Sequence, residues 1–160
     1  IGLGDSLRLA GAPEQGEILF AAAEAAFALG DERLIGDAAF AVLQLGSTTA
    51  SGVLHQSVID LASSALLSVT EPDKWARIAG AASLAHSMTG NSALCRELFI
   101  EAAAVAETSE TRMQVLPFAY LGLGHPRDLG LRERITDELI DLARAADDPI
   151  ALFEGLQLSF

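Results

Sequence analysis

Apolar residues recur every three or four positions along most of the chain. Two such runs are Leu54, Val58, Leu61 and Ala65, and Leu131, Ile135, Leu139 and Leu142. This spacing places the apolar side chains on one face of an α-helix, whereas half-buried strands would alternate apolar and polar positions. Strand signals of that kind are absent from the sequence. The pattern therefore predicts an all-α fold.

The helical runs are interrupted at nearly even intervals, near Asp31, Ser51, Asp73, Asn91, Glu110, Leu129 and Asp148. One helix with its turn therefore takes about 20 residues and a helical hairpin about 39, within the range of helical-hairpin repeats. Residues that end or begin helices stand at these breaks: Gly30 and Gly90 as helix ends, Asp31 and Asn91 as N-caps, and Pro13, Pro72 and Pro149 in first turns.

Sliding the sequence along itself by 79 residues superposes segment 3–40 on segment 82–119. Identical residues then meet at Gly11/Gly90, Leu19/Leu98, Phe20/Phe99, Ala23/Ala102, Ala25/Ala104 and Arg33/Arg112. A helical hairpin cannot cover its own apolar faces, so stacked neighbours need large residues in gaps and small ones at close approaches. We predict a right-handed α-solenoid of about seven to eight antiparallel helices, forming one domain over residues 1–160.

Charge and composition limit the partners of this chain. Its 22 acidic and 10 basic side chains give a net charge of −12, which would repel nucleic-acid phosphates and anionic lipids. No apolar run reaches the roughly 20 residues that a membrane helix needs. Cys95 is the single cysteine and cannot form an internal disulfide, which favours a reducing, cytoplasmic location. Because the chain opens at Ile1 and stops in mid-pattern, we expect it to be part of a longer protein.

The first segment resembles a tetratricopeptide repeat. Leu3, Gly4, Gly16, Phe20 and Ala23 match that spacing, while Leu7 replaces the usual tyrosine. More broadly, "LRLAGAPEQGEILFAAAEAAFALGDERL", the stretch from "SALCRELFIEAAAVAE" to "IDLARAADDP", and "IALFEGLQLSF" resemble the helical-repeat region of large ATP-binding LuxR-type transcriptional regulators and their STAND-ATPase relatives. The resemblance implies an ATPase module before this region and a DNA-binding helix-turn-helix after it. The chain itself has no phosphate-binding loop and no basic recognition helix.

Motifs that suggest catalysis or metal binding have simpler explanations. "GDSL", Gly4 to Leu7, spells the signature of a serine esterase family, yet Ser6 lies in helix-like sequence and no histidine follows an aspartate at the required spacing. The row Glu133, Asp137 and Asp141 could suggest a divalent cation, but we expect Arg134 to pair with Glu138 and Arg144 with Asp141 on a solvent-exposed face. We therefore predict no enzyme activity, no metal and no cofactor.

A few side chains are candidate contacts for a partner or effector: Trp75, His86, Tyr120, His125 and Arg127. The 79-residue alignment places His86 on the first helix of its hairpin, which lines the concave surface in tetratricopeptide-like solenoids. His125 and Arg127 lie in "GLGHPRDLGLRER", the least regular stretch, and loops on a rigid scaffold often carry recognition. Trp75 is equally suited to sealing two helices together.

The remaining sulfur-containing residues are predicted to lie in the core. Cys95 aligns with Gly16 in a small-residue slot and should be a buried, inert thiol. Met88 and Met113 are predicted to fill gaps between helices.

Two functions of different classes fit this sequence. The first is a non-catalytic interaction and sensing module of a transcriptional regulator, with a protein segment or small effector in its concave groove. The alternative is a structural spacer or an oligomerisation scaffold that associates through its terminal helices. A serine esterase acting through Ser6 is a remote third reading.

Overall fold

The computed structural model describes residues 14–46 and 56–159, and this part of the chain is helical without any strand. Its helices are α1 (Gln15–Leu29), α2 (Glu32–Gly46), α3 (Gln56–Ser68), α4 (Pro72–Met88), α5 (Ser92–Val105), α6 (Ser109–Gly122), α7 (Leu129–Ala146) and α8 (Pro149–Leu158). A 3-10 turn, Pro126–Asp128, precedes α7. The all-α prediction is confirmed. The predicted break near Ser51 and the residues before Glu14 lie outside the described residues.

The predicted helix ends are confirmed by their hydrogen bonds and backbone angles. The carboxylate of Asp31 accepts a hydrogen bond from the backbone N–H of Leu34 at 3.1 Å, and Asn91 accepts one from Leu94 at 3.3 Å. Gly30 ends α1 in the left-handed region with φ of 65°, where a residue without Cβ is not strained. The predicted breaks in the described residues therefore fall where local capping chemistry puts them.

Helices contact their neighbours in a simple order. Each described helix packs against the next, and α2, α4, α6 and α8 also pack against one another in sequence. The helices α1, α3, α5 and α7 share no comparable interface with one another. The even-numbered helices therefore form a continuous row, which we call the inner row. Helices α3, α5 and α7 each pack against two of its members, and α1 packs against α2.

The inner row depends on small side chains in α4. Its buried positions include Ala76, Ala79, Gly80 and Ala82. A Cβ atom added to Gly80 would lie 3.1 Å from Cγ1 of Val115 on α6, which is tighter than an ordinary van der Waals contact. The absence of a side chain at Gly80 therefore sets how closely α4 and α6 approach.

The 79-residue offset relates equivalent helices. It superposes α1 on α5 and α2 on α6. Leu19 and Leu98 are both buried, as are Ala23 and Ala102. Equal sequence offset and burial indicate that these residues occupy equivalent packing positions in two hairpins, which are separated in the chain by α3 and α4.

Acidic side chains join successive members of the inner row. Glu32, the first residue of α2, accepts hydrogen bonds from the Thr70 hydroxyl and the Glu71 N–H, both at 2.9 Å, in the turn before α4. Asp73 of α4 likewise accepts hydrogen bonds from the N–H groups of Glu107 at 2.8 Å and Thr108 at 3.3 Å, in the turn before α6. We call these two contacts the carboxylate clasps. They supply acceptors to backbone N–H groups beside the next helix start, where helices lack intrahelical partners.

The clasps lower the pKa of both carboxyl groups. For Glu32, the backbone N–H of Thr70 is the main cause, followed by the Thr70 hydroxyl and the Glu71 N–H. For Asp73, burial raises the pKa, but hydrogen bonds from Thr108, Glu107 and Thr111 outweigh it and the net shift is downward. Both groups are therefore held as carboxylates by their hydrogen-bond donors.

Two sequence expectations about side chains are wrong. Glu138 pairs with Arg112 of α6, whose Nε lies 2.7 Å from the carboxylate, rather than along α7 with Arg134, because α6 packs against α7. Met88 does not fill the core: it is the last residue of α4 and is 43% exposed. The expected pair of Arg144 with Asp141 is present at 3.7 Å.

The Asp73 clasp generates a stability prediction. Asp73→Ala should lower the free energy of unfolding by about 1 kcal/mol, because two N–H groups lose their acceptor while remaining accessible to water. Asp137→Ala, on the exposed face of α7, is the matched control and should change it by less than about 0.5 kcal/mol. Urea unfolding measures both values, and equal effects would contradict a stabilising clasp.

The same clasp predicts a pH dependence. Because the folded-state pKa of Asp73 is depressed, its stabilisation is fully present above the ordinary carboxyl pKa of about 4 and is lost as the pH falls through the folded-state value. The stability difference between the native sequence and Asp73→Ala should therefore shrink on acidification below about pH 4.

Candidate functional site

Two aromatic rings meet on one face of the inner row. The rings of Phe40 on α2 and Phe118 on α6 contact each other edge to face, with centroids 6.2 Å apart and an interplanar angle of 82°. Helix α4 packs between α2 and α6. The two rings therefore connect helices that lie on either side of α4.

A groove with a volume of about 540 Å³ lies on this face between α6 and α8, with α2 at one side. Its apolar lining consists of Phe40, Met113, Pro117, Phe118, Leu121 and Ile150. Leu121 is 52% exposed and Ile150 is 79% exposed. The groove thus offers apolar surface to an occupant. Met113 lines it and is half-buried, so the prediction that this side chain only fills a gap between helices is incomplete.

The groove lies between α6 and α8. Among the described residues, this is the pair of successive inner-row helices that no carboxylate clasp joins. Glu110 is the second residue of α6, as Asp73 is of α4, but within the described residues no hydrogen bond joins it to the turn before α8. Asp148 in that turn instead caps its own helix, accepting from the N–H groups of Ile150 at 2.9 Å and Ala151 at 3.0 Å. The α6–α8 interface is the smallest in the row. The missing clasp and the small interface leave the space that forms the groove.

The polar lining of the groove is acidic. It contains the carboxyl groups of Glu110, Asp148 and Glu154 and the amides of Gln44 and Gln114, with no lysine, arginine or histidine. Burial raises the pKa of Glu154, although the residue as a whole is exposed. A positive charge beside this carboxylate would favour its ionised form.

Pro117 lies in the wall of the groove. It stands inside α6 and has no backbone N–H, so the carbonyl of Met113, four residues earlier, does not receive the usual helical hydrogen bond. Both residues line the groove. The proline therefore makes α6 less regular along this wall.

Positive charges beside the groove are already engaged. Arg77 of α4 lies over the Phe40 ring, 5.5 Å from its centroid, and 3.9 Å from the carboxylate of Asp37. Asp37 also binds Lys74 at 2.7 Å and lies 3.8 Å from Arg33. These side chains hold α2 against α4 and do not line the groove.

The five candidate contact residues are not brought together. The indole N–H of Trp75 donates to the carbonyl of Leu66 at 3.2 Å, so this side chain ties α4 to α3. Tyr120 lies beneath the guanidinium of Arg132, 4.1 Å from its ring centroid. His86 is half-buried near the end of α4, and burial lowers its pKa.

His125 and Arg127 lie near each other in the exposed turn before α7. The Nδ1 atom of His125 accepts a hydrogen bond from the backbone N–H of Arg127 at 3.2 Å, and the Arg127 guanidinium lies 3.9 Å from Asp128. None of the five candidate residues lines the groove, and their contact roles stay predictions. Sequence reasoning missed the groove residues, although Pro117 inside a helical pattern was a signal of an irregular wall.

Cys95 is buried, as predicted. Its thiol contacts the carbonyl of Gly122 at 3.4 Å. Burial and, to a lesser extent, the nearby carboxylate of Asp128 raise its pKa, which suppresses the reactive thiolate. Ser6 lies outside the described residues. In segments 14–46 and 56–159, no group of three or more histidine, cysteine, aspartate or glutamate residues could hold a metal ion.

Comparisons with protein-family models, with curated proteins and with solved structures found no match. Among the described helices, none combines the length and the apolar character required to cross a bilayer. Function is therefore inferred from the groove and the helices around it.

The contact between the two rings predicts energetic coupling between Phe40 and Phe118. In a double-mutant cycle with Phe40→Leu and Phe118→Leu, the coupling energy should be about 0.5–1.5 kcal/mol, because either single substitution already removes the edge-to-face aromatic pair. Phe40 paired with the exposed Phe153 of α8 is the control and should show no coupling beyond about 0.3 kcal/mol. Additive effects of the Phe40 and Phe118 substitutions would show that the two rings do not meet in solution.

Proposed function

We propose that this chain is a non-catalytic helical-repeat module that binds a protein segment or a small effector in the groove between α6 and α8. The observation that carries this proposal is an accessible groove with apolar walls and polar side chains in its lining, between the two successive inner-row helices that no clasp joins among the described residues. Its volume lies within the range of small-molecule sites. In this proposal the inner row forms the concave side of a right-handed α-solenoid with tetratricopeptide-like hairpins.

The proposed mechanism is a change in the spacing of α6 and α8. An occupant that contacts both helices favours the spacing that fits it. It shifts the equilibrium between the two spacings of α6 and α8 only by the difference in its affinity for them. The hairpin of α7 and α8 moves with α8. Small rotations of this kind add along a stack of repeats, so binding at one step changes the position of whatever the module carries.

We place this module in a larger ATP-dependent transcriptional regulator of the LuxR type. The support is the resemblance of the repeat-bearing segments, and the net charge of −12 fits a sensing region that leaves DNA contact to another domain. Effector binding in the groove would then bias the regulator towards a state that presents its DNA-binding domain. A cytoplasmic location agrees with the single unpaired cysteine.

Blocking the groove tests this function. Thermal-shift screening against small inducers and against the regulator's own partner domains should yield an occupant that raises Tm. Leu121→Lys places a charge on the groove wall and should weaken that occupant by at least about tenfold, because apolar contact is replaced by a hydrated ammonium group. Leu67→Lys is the matched control, since Leu67 is 89% exposed on α3 and does not line the groove. Equal binding to both variants would place the occupant elsewhere.

A second candidate function is an oligomerisation scaffold. Helix α8 exposes Ile150, Phe153 and Leu156, whose exposed fractions are 79%, 68% and 43%. Exposed apolar side chains on one short helix favour association with another copy. Light scattering should then show a concentration-dependent dimer that Phe153→Glu dissociates. A monomer at all concentrations would contradict the scaffold and leave the sensing module unaffected.

A further inference from the structure

All charged side chains that line the groove are acidic. Glu110 projects from the first turn of α6, and Asp148 and Glu154 belong to α8 and the turn before it. No basic side chain lines the groove. The guanidinium of Arg77, which lies over the lining residue Phe40, also lies 3.9 Å from the carboxylate of Asp37. An anionic occupant would therefore meet uncompensated like charge.

The charged hydrogen-bonding groups point to the same kind of occupant. The three carboxylates of the lining can only accept hydrogen bonds, whereas the amides of Gln44 and Gln114 can donate or accept. The carboxylates are therefore matched best by a positively charged donor. An ammonium group supplies three N–H donors together with a positive charge.

The size of the groove favours a small molecule over a protein segment. A volume of about 540 Å³ lies within the range of small-molecule pockets, which is roughly 300–1,000 Å³. A stable protein interface buries about 800 Å² on each partner, more than a groove bordered by three helices can offer. The apolar part of the occupant would pack on Met113, Phe118 and Leu121.

We propose that the groove selects a small organic cation, an amine whose ammonium group lies beside Glu154 and Glu110 and whose apolar body lies against Met113 and Phe118. This inference rests on the proposed binding function and narrows the class of effector. It disfavours anionic occupants such as carboxylates and phosphate esters.

Methionine labelling provides a direct test. The chain has two methionines, and ¹³C-methyl labelling gives one signal from Met113 in the groove and one from Met88 outside it. Three probes of equal length are titrated: 3-phenylpropylamine, 3-phenylpropanol and 3-phenylpropanoate. We expect the amine to shift the Met113 signal saturably, with Met88 unchanged, and to bind at least about fivefold more tightly than the alcohol, equivalent to about 1 kcal/mol.

Charge variants identify the carboxylate that is responsible. Glu154→Gln should weaken the amine about fivefold and leave the alcohol unchanged, because only the amine loses an ion pair. Glu24→Gln removes the same charge from the exposed side of α1 and should change neither affinity. Far-UV circular dichroism and Tm of both variants establish that the fold is retained.

The outcomes separate this inference from the proposed function. Equal affinity for amine and alcohol, or tighter binding of the carboxylate, would overturn selection of a cation while leaving groove binding intact. A Met113 signal that no probe moves would overturn the cation proposal; an occupant found by screening and lost in Leu121→Lys would still support the groove as the binding site. If Glu24→Gln weakens the amine as much as Glu154→Gln does, net charge rather than the groove is responsible and the proposal fails.

Discussion

The structure depends on burial of apolar helix faces between neighbours along the inner row, and on the small residues of α4 that allow it. Gly80 and the alanines around it let α4 approach α6 so closely that Val115 fills the space where a Cβ would stand. Phe40 and Phe118 add a direct contact between α2 and α6, the two helices that flank α4. Larger residues at the buried positions of α4 would push its neighbours apart.

Hydrogen bonds between successive helices add to the stabilisation that apolar burial provides. The clasps of Glu32 and Asp73 supply acceptors for N–H groups in the turns before α4 and α6. Between α6 and α8, Asp148 caps its own helix and Glu110 lines the groove. One absent contact thus explains both the small interface between α6 and α8 and the acidic character of the space between them.

Much of the fold was predictable because the relevant signals are local. Caps such as Asp31 and Asn91 act on residues three positions ahead, so sequence spacing alone locates the helix ends. The groove was not predictable in the same way. Glu32 binds a turn 38 residues away, and Arg112 reaches Glu138 on another helix, so neither contact leaves a pattern in the sequence. Met113 was predicted as filler because helical periodicity does not distinguish a core gap from a groove wall.

Helix α8 contacts the other described inner-row helices only through a small, unclasped interface with α6, and its larger interface is with α7. Native-state hydrogen exchange measures the consequence directly, because amide protection reports the free energy of local opening for each helix. We expect amides in the middle of α8 to exchange faster than those in α2, although each helix lies at one end of the described row. Equal protection of α8, α2 and α4, released together in a single global opening, would contradict it.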